Sequence, residues 1–214
     1  MSIRTSEQLS DRLATDLAWR KKELSEIKSL VEAKNVSDQR HKVLVRSGVC
    51  ILYSHWEGFI KLAANSYLEY VRLKSLNYKQ LSSNFLALAM KVQLKEAKET
   101  NKPSLYIPVC DFFLYELDQR CSLPKDAIST TSNLSSEILK EITCTLGIDF
   151  SLYSTKSTLI DTKLLKTRNE IAHGEDSVFD RDEYIYLHTT VIEMLNIFRN
   201  QIENAAINKK FMQE

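Results

Sequence analysis

Residues 166 to 176 read KTRNEIAHGED. Asn169 and His173 stand four apart, so on a helix they share one face, with Arg168 beside them. A guanidinium offers a planar fork to phosphate oxygens and stays cationic at every working pH. An imidazole takes and gives protons near neutral pH. Together they suit cleavage of a phosphodiester without a metal, and Asn169 would orient the imidazole or touch the phosphate. RNA brings its own nucleophile, the 2′-hydroxyl, so neither a serine nor a metal ion is required of the protein. On this reading Arg168 and His173 are the catalytic candidates and Asn169 a supporting one.

The same residues admit a structural reading. Arg168 pairs with Glu57 or another buried carboxylate, and His173 caps a helix C-terminus, where positive charge is favoured. Gly174 fits both readings as the left-handed residue that ends a helix. Glu57 lies between Trp56 and Gly58 in LYSHWEGFIK, where a lone carboxylate is costly. It is expected to serve as a salt-bridge partner that orients Arg168, in a supporting and not a catalytic role. His41, His55 and His188 are expected to be ordinary surface or core histidines, and Trp19 and Trp56 core residues.

The elements that position these groups read as helices. Glycine (4) and proline (3) are scarce in 214 residues, too few for the many tight turns of a β-rich chain. Leu9, Leu13, Leu17, Leu24, Ile27 and Val31 mark a first helix from about Ser6 to Lys34. A second, from about Gln39 to Leu76, is apolar around more than half its circumference, Val43, Val49, Leu52 and Phe59 included, and must be central. A third follows Ser82 and Ser83 and fades into KEAKETNK. A shorter one starts near Pro108, since proline suits a first helical turn. CSLPKDAISTTSN is the most loop-like stretch. SNLSSEILKEITCTLGID predicts a helix closed by Gly147, and Asp180-x-x-Glu183 a capping box opening a last helix to about Asn208. Between them, at about 100° per residue, Ile160, Leu164 and Ile171 form one apolar sector with Arg168 projecting into its middle. A charge there needs a partner or a wet cleft. The expectation is all-α: a single-domain bundle of six or seven helices over residues 1–214.

Net charge is +1, and the two signs alternate along most segments, which gives no global signature of a nucleic-acid or membrane-surface protein. Cys50, Cys110, Cys121 and Cys144 form no C-x-x-C pair and have no histidine at zinc-ligand spacing, so reduced structural thiols and no metal are expected. The N-terminus is too polar for a signal peptide and no window approaches a membrane span, which makes the cytoplasm the expected compartment.

Taken together, RNEIAHGE, LYSHWEGFIK and SNLSSEILKEITCTLGIDF resemble the HEPN superfamily, and within it the MAE-type branch related to the RiboL-PSP-associated proteins. The resemblance spans about residues 10 to 205. Its signature, an arginine followed by a histidine near a helix end and often with asparagine next to the arginine, falls on Arg168, Asn169 and His173. The resemblance implies a helical bundle that forms a homodimer, with two Arg–His motifs facing one shared cleft. It also implies a metal-independent endoribonuclease without cofactor, employed as a toxin or in phage defence and held by a cognate antitoxin or defence partner. The cleaved RNA would carry a 2′,3′-cyclic phosphate. One toxin branch has a tyrosine two residues after the histidine; here that position is Glu175. A non-catalytic RNA- or nucleotide-binding HEPN module, or a helical dimerisation adaptor, is the alternative.

Overall fold

Thr5 opens the first helix. Its side chain accepts from the Gln8 amide while the Gln8 side chain reaches back to the cap, a complete capping box. The computed structural model describes residues 2–97, 102–124, 128, 130, 133–177 and 179–213. Helix α1 (Ser6–Glu32) lays down Leu9, Leu13, Leu17, Leu24 and Val31 as one fully buried stripe. Ser37 caps α2 (Asp38–Arg72), which buries residues from Val45 to Val71 around most of its circumference. It is the central helix, as its composition predicts. It stops at Arg72, short of Leu76, and Ser75 just beyond takes a positive φ of 58°.

Helices α3 (Ser83–Ala97), α4 (Ile107–Asp111) and α5 (Ser136–Leu146) follow, the last ending at Gly147 as expected. The expected fading of α3 into residues 98–101 lies outside the described residues, as does part of the loop-like stretch, residues 125–127, 129, 131 and 132. A short α6 (Ser151–Ser154) precedes α7 (Thr167–Ala172), and α8 (Arg181–Ile207) begins with the predicted Asp180–Glu183 capping box. Helices α1, α2 and α8 pack against each other, and α7 and α5 lie on α2. The apolar cluster joins residues from Ile3 to Phe211, with Trp56, Phe59, Tyr184 and Phe198 at its centre.

The protein is all-α: among the described residues there are eight α-helices and no strand, only isolated bridges at Asn77–Arg120 and Leu81–Met212. The helix beyond the seven expected is the short α6, and the winding changes before α7. Over Leu159–Lys166 the helix opens to π geometry before tightening again at Thr167. A uniform 100° per residue therefore fails across this segment, and Arg168 does not project into the middle of the apolar sector. Ile160, Leu164 and Thr167 face the core, and Arg168 lies half-buried beside them. A π turn inside a helix re-aims the residues that follow it and recurs at functional sites.

Two apolar expectations are corrected. Trp19 is 49% exposed and Val43 53% exposed, because each lies on the outer side of its helix, off the buried stripe. Trp56 is fully buried. No helix among the described residues is long and apolar enough to cross a membrane.

Candidate functional site

One face of α2 builds the floor. Lys42, Arg46, Cys50, Tyr53 and Glu57 recur at spacings of three and four, which stacks them along one side of a helix. Two chain segments cover this stripe: the residues leading into α5, and the end of α7 with the turn after it.

Arg168 joins the two covers to the floor. Its Cζ lies 4.0 Å from the centroid of the Tyr53 ring, and its Nη2 donates to Asn133 Oδ1 at 3.2 Å. A guanidinium over an aromatic face is worth about 0.5–2 kcal/mol, more as water is excluded. The Tyr53 hydroxyl accepts from the Leu134 amide at 2.7 Å, so one phenol holds both the arginine and the loop that carries Asn133. Burial pushes the Tyr53 phenol above its ordinary pKa, opposed by the Leu134 amide and by Arg168. Burial likewise raises the Cys50 thiol, opposed by Arg168 and Arg46.

Glu57 does not pair with Arg168. No ion pair joins them among the described residues, and Glu57 Oε1 accepts instead from Thr130 Oγ1 at 2.5 Å. The expected orienting salt bridge is thus replaced by a hydroxyl that is 3% exposed. The reason is geometric: with Arg168 engaged at Tyr53 and Asn133, the carboxylate one turn further along α2 meets the loop first. The contact ties Thr130 to α2.

His173 ends α7. Its amide donates to the Asn169 carbonyl at 2.9 Å, and its side chain is exposed. Gly174 follows at φ 80°, which frees the Glu175 amide to reach the Glu170 carbonyl at 2.9 Å, the closing bond of a Schellman end. The left-handed turn then delivers Asp176 to α2, where Lys42 bonds it at 2.5 Å and Arg46 stands 3.9 Å away. Arg46 Nη1 also donates to the Ser177 carbonyl at 3.3 Å. Lys42 holds the Asp176 carboxyl below its ordinary range, first through the hydrogen bond and then through charge. The helix end is therefore pinned on both sides of His173, at Arg168 and at Asp176, and the imidazole is left open. Asn169 is half-buried on the same turn, and no side-chain hydrogen bond joins it to His173 among the described residues.

A family model described as HEPN_MAE_28990-like HEPN matches residues 9–211. The chain belongs to the HEPN superfamily. No curated protein and no solved structure matches it. The HEPN match takes in all eight helices but the first three residues of α1, so it covers the arginine, the histidine and every described residue that positions them.

The HEPN signature alone does not point to Tyr53 or Asn133. Tyr53 lies in LYSHWEGFIK and is legible as one more member of the α2 stripe; Asn133 lies in SNLSSEILKEITCTLGIDF, but no spacing or motif there ties it to Arg168. The remaining histidines occupy buried or half-buried settings of their own. His55 is 5% exposed, with Nε2 2.9 Å from Glu23 and Nδ1 3.4 Å from Arg20. His188 is buried, and His41 Nε2 accepts from Arg181 at 3.3 Å. The four thiols are free. Among the described residues no group of three or more His, Cys, Asp or Glu side chains is arranged to hold a metal ion.

Proposed function

We propose that this HEPN protein is a metal-independent endoribonuclease acting as a homodimer, with a composite site made of Arg168 and His173 from both subunits. The observation that carries the proposal is the division of labour on one helix end. Arg168 is fixed by Tyr53 and Asn133, while the His173 imidazole is exposed and unengaged among the described residues. A fixed cation and a free proton carrier are what phosphoryl transfer through the 2′-hydroxyl needs.

In the proposed reaction the 2′-oxygen attacks phosphorus and the P–O5′ bond breaks. One His173 imidazole takes the 2′-hydroxyl proton. The imidazolium of the partner subunit's His173 gives a proton to the departing 5′-oxygen. Arg168 offsets the charge that builds on the phosphate oxygens, and Asn169 supports the helix end and contacts phosphate. The products are a 2′,3′-cyclic phosphate and a 5′-hydroxyl. The biological setting proposed with it is that of a toxin or phage-defence effector kept silent by a partner.

The test is His173→Ala in an RNA cleavage assay, run with and without a chelator. The proposal requires wild-type cleavage that survives chelation and a variant slowed by about 10²-fold or more. Equal cleavage by the two proteins would overturn it.

A second reading has one observation in its favour. Arg168 already has contacts within its own chain, as a structural arginine in a non-catalytic RNA- or nucleotide-binding module or helical adaptor would. That reading gives stability loss on substitution of Arg168 and no cleavage by any form of the protein.

A further inference from the structure

A groove of about 490 Å³ runs between α1 and α2, and neither Arg168, Asn169 nor His173 lines it. Its charged lining is Arg12, Arg20, Lys61 and Arg72 against the single carboxylate of Glu69. Some cations elsewhere are matched, Lys42 with Asp176, Lys163 with Glu183 and Arg199 with Glu203 among them. Arg12, Lys61 and Arg72 form no ion pair among the described residues. Three cations without an ion pair thus share one concave place with a single carboxylate, in a chain of net charge +1.

The groove is built, not merely lined. Arg20 is 9% exposed and lies at its floor, with Nε 2.5 Å from Asp16 and Nη1 3.4 Å from His55. Gly58 makes that position possible, because a Cβ there would stand 2.8 Å from Arg20 Nη1. A mid-helix glycine costs about 1 kcal/mol relative to alanine, and the close approach of Arg20 accounts for it. A second depression shares Arg72 and Pro124 with the first and adds Arg120, so the cationic lining continues past the end of α2.

Length and direction identify the occupant. From Gly58 to Arg72 the groove follows α2 for about 21 Å at 1.5 Å per residue, too long for one phosphate and suited to an extended polyanion. Its near end adjoins Glu57, whose partner Thr130 leads into the segment holding Asn133 and, through it, Arg168. Trp19, 49% exposed, lies two helical turns from Arg12 on the same face of α1 and stacks with the Arg20 guanidinium at 4.7 Å. Cationic grooves edged by exposed aromatics are how proteins hold single-stranded nucleic acid.

We infer that the α1–α2 groove binds the phosphate backbone of single-stranded RNA and guides the strand toward the Arg168–His173 end of the molecule. The inference rests on the nuclease reading for its ligand, but its test reads binding and not cleavage.

The full chain carrying His173→Ala is titrated with a fluorescein-labelled oligouridylate from about 50 to about 200 mM salt. The comparison is with the same protein carrying Arg12→Gln, Lys61→Gln and Arg72→Gln. A second triple, Lys22→Gln, Lys140→Gln and Lys209→Gln, loses equal charge at exposed positions outside the groove. Each single-strand phosphate contact contributes about 0.7 to the slope of log K against log salt. The groove triple is expected to lower the slope by about 2 relative to the second triple. Equal slopes for the two triples overturn the inference, and so does displacement of the RNA by polyglutamate at equal charge, which assigns the groove to an acidic peptide. Should the groove triple fail to fold, tryptophan emission of the unmodified-groove protein decides. Trp56 is fully buried, so RNA in the groove quenches Trp19, and unchanged emission at saturating RNA refutes the assignment. A failed nuclease reading shows up separately, as cleavage indifferent to His173→Ala.

Discussion

The guanidinium carbon of Arg168 sits 4.0 Å from the centre of the Tyr53 ring, and the same phenol accepts from the Leu134 amide at 2.7 Å. The signature arginine, the central helix and the loop before α5 thus meet at one side chain. Tyr53→Phe keeps the ring face and strands a buried amide, a loss of about 1–3 kcal/mol that urea unfolding would register, with cleavage retained. Tyr53→Leu removes the ring face as well, so cleavage should fall beyond what the stability change explains. Equal cleavage by the two variants would contradict this role for the ring.

Arg168→Lys separates a charge from a fork. Lysine keeps the positive charge but cannot offer paired, coplanar donors. Single-turnover cleavage should drop by about 10²-fold. Because Arg168 is only half-buried, the melting temperature should move by a few degrees at most. A large loss of stability with unchanged chemistry would favour the adaptor reading.

Glu57 and Thr130 are predicted to matter to stability and not to bond cleavage. Their 2.5 Å contact is a hydrogen bond to a carboxylate, worth about 1.5–3 kcal/mol. Thr130→Val should therefore lower the unfolding free energy by that order. Glu57→Gln, which keeps an acceptor, should cost less and cleave at close to the wild-type rate. Abolished cleavage in Glu57→Gln would make the carboxylate a participant in the reaction.

The helical bundle was legible in the apolar spacing of α1, α2 and α8, because a buried stripe needs leucines and valines at helical intervals wherever the chain runs straight. The caps at Thr5, Ser135 and Asp180 are local chemistry and can be read the same way. The setting of Arg168 could not be read so directly. The π turn over Leu159–Lys166 breaks the constant angle on which any helical wheel depends. Asn133 and Thr130 reach the site only through tertiary closure of a loop, so nothing near them in sequence connects them with Arg168 or Glu57. Trp19 misled for a related reason: a large aromatic suggests a core, yet its place on α1 lies off the leucine stripe.

Two buried histidines predict how stability depends on pH. Burial depresses the pKa of His55, with Glu23 opposing and Arg20 assisting. Burial does the same for His188, assisted by Lys28 and opposed by the Leu24 carbonyl and by Glu32. Both imidazoles are therefore neutral in the folded chain where the unfolded chain begins to bind protons, near the ordinary value of about 6.5. The unfolded state holds more protons below that value, so stability falls as pH drops through it and is insensitive to these groups above it. Thermal unfolding at a series of pH values should show the decline, and His55→Gln with His188→Gln should flatten it. A melting temperature that rises on acidification would reverse the sign.

The central claim is that the protein cuts RNA through the RNA's own 2′-hydroxyl, using His173. The most direct measurement is the end-group of the product from one RNA and from its copy with 2′-deoxy sugars, each incubated with wild type and with His173→Ala in chelator. The account predicts a 2′,3′-cyclic phosphate from RNA with the wild type, an intact deoxy copy, and little product with the variant. Cleavage of the deoxy copy, or the same cyclic product at the same rate from His173→Ala, would contradict it.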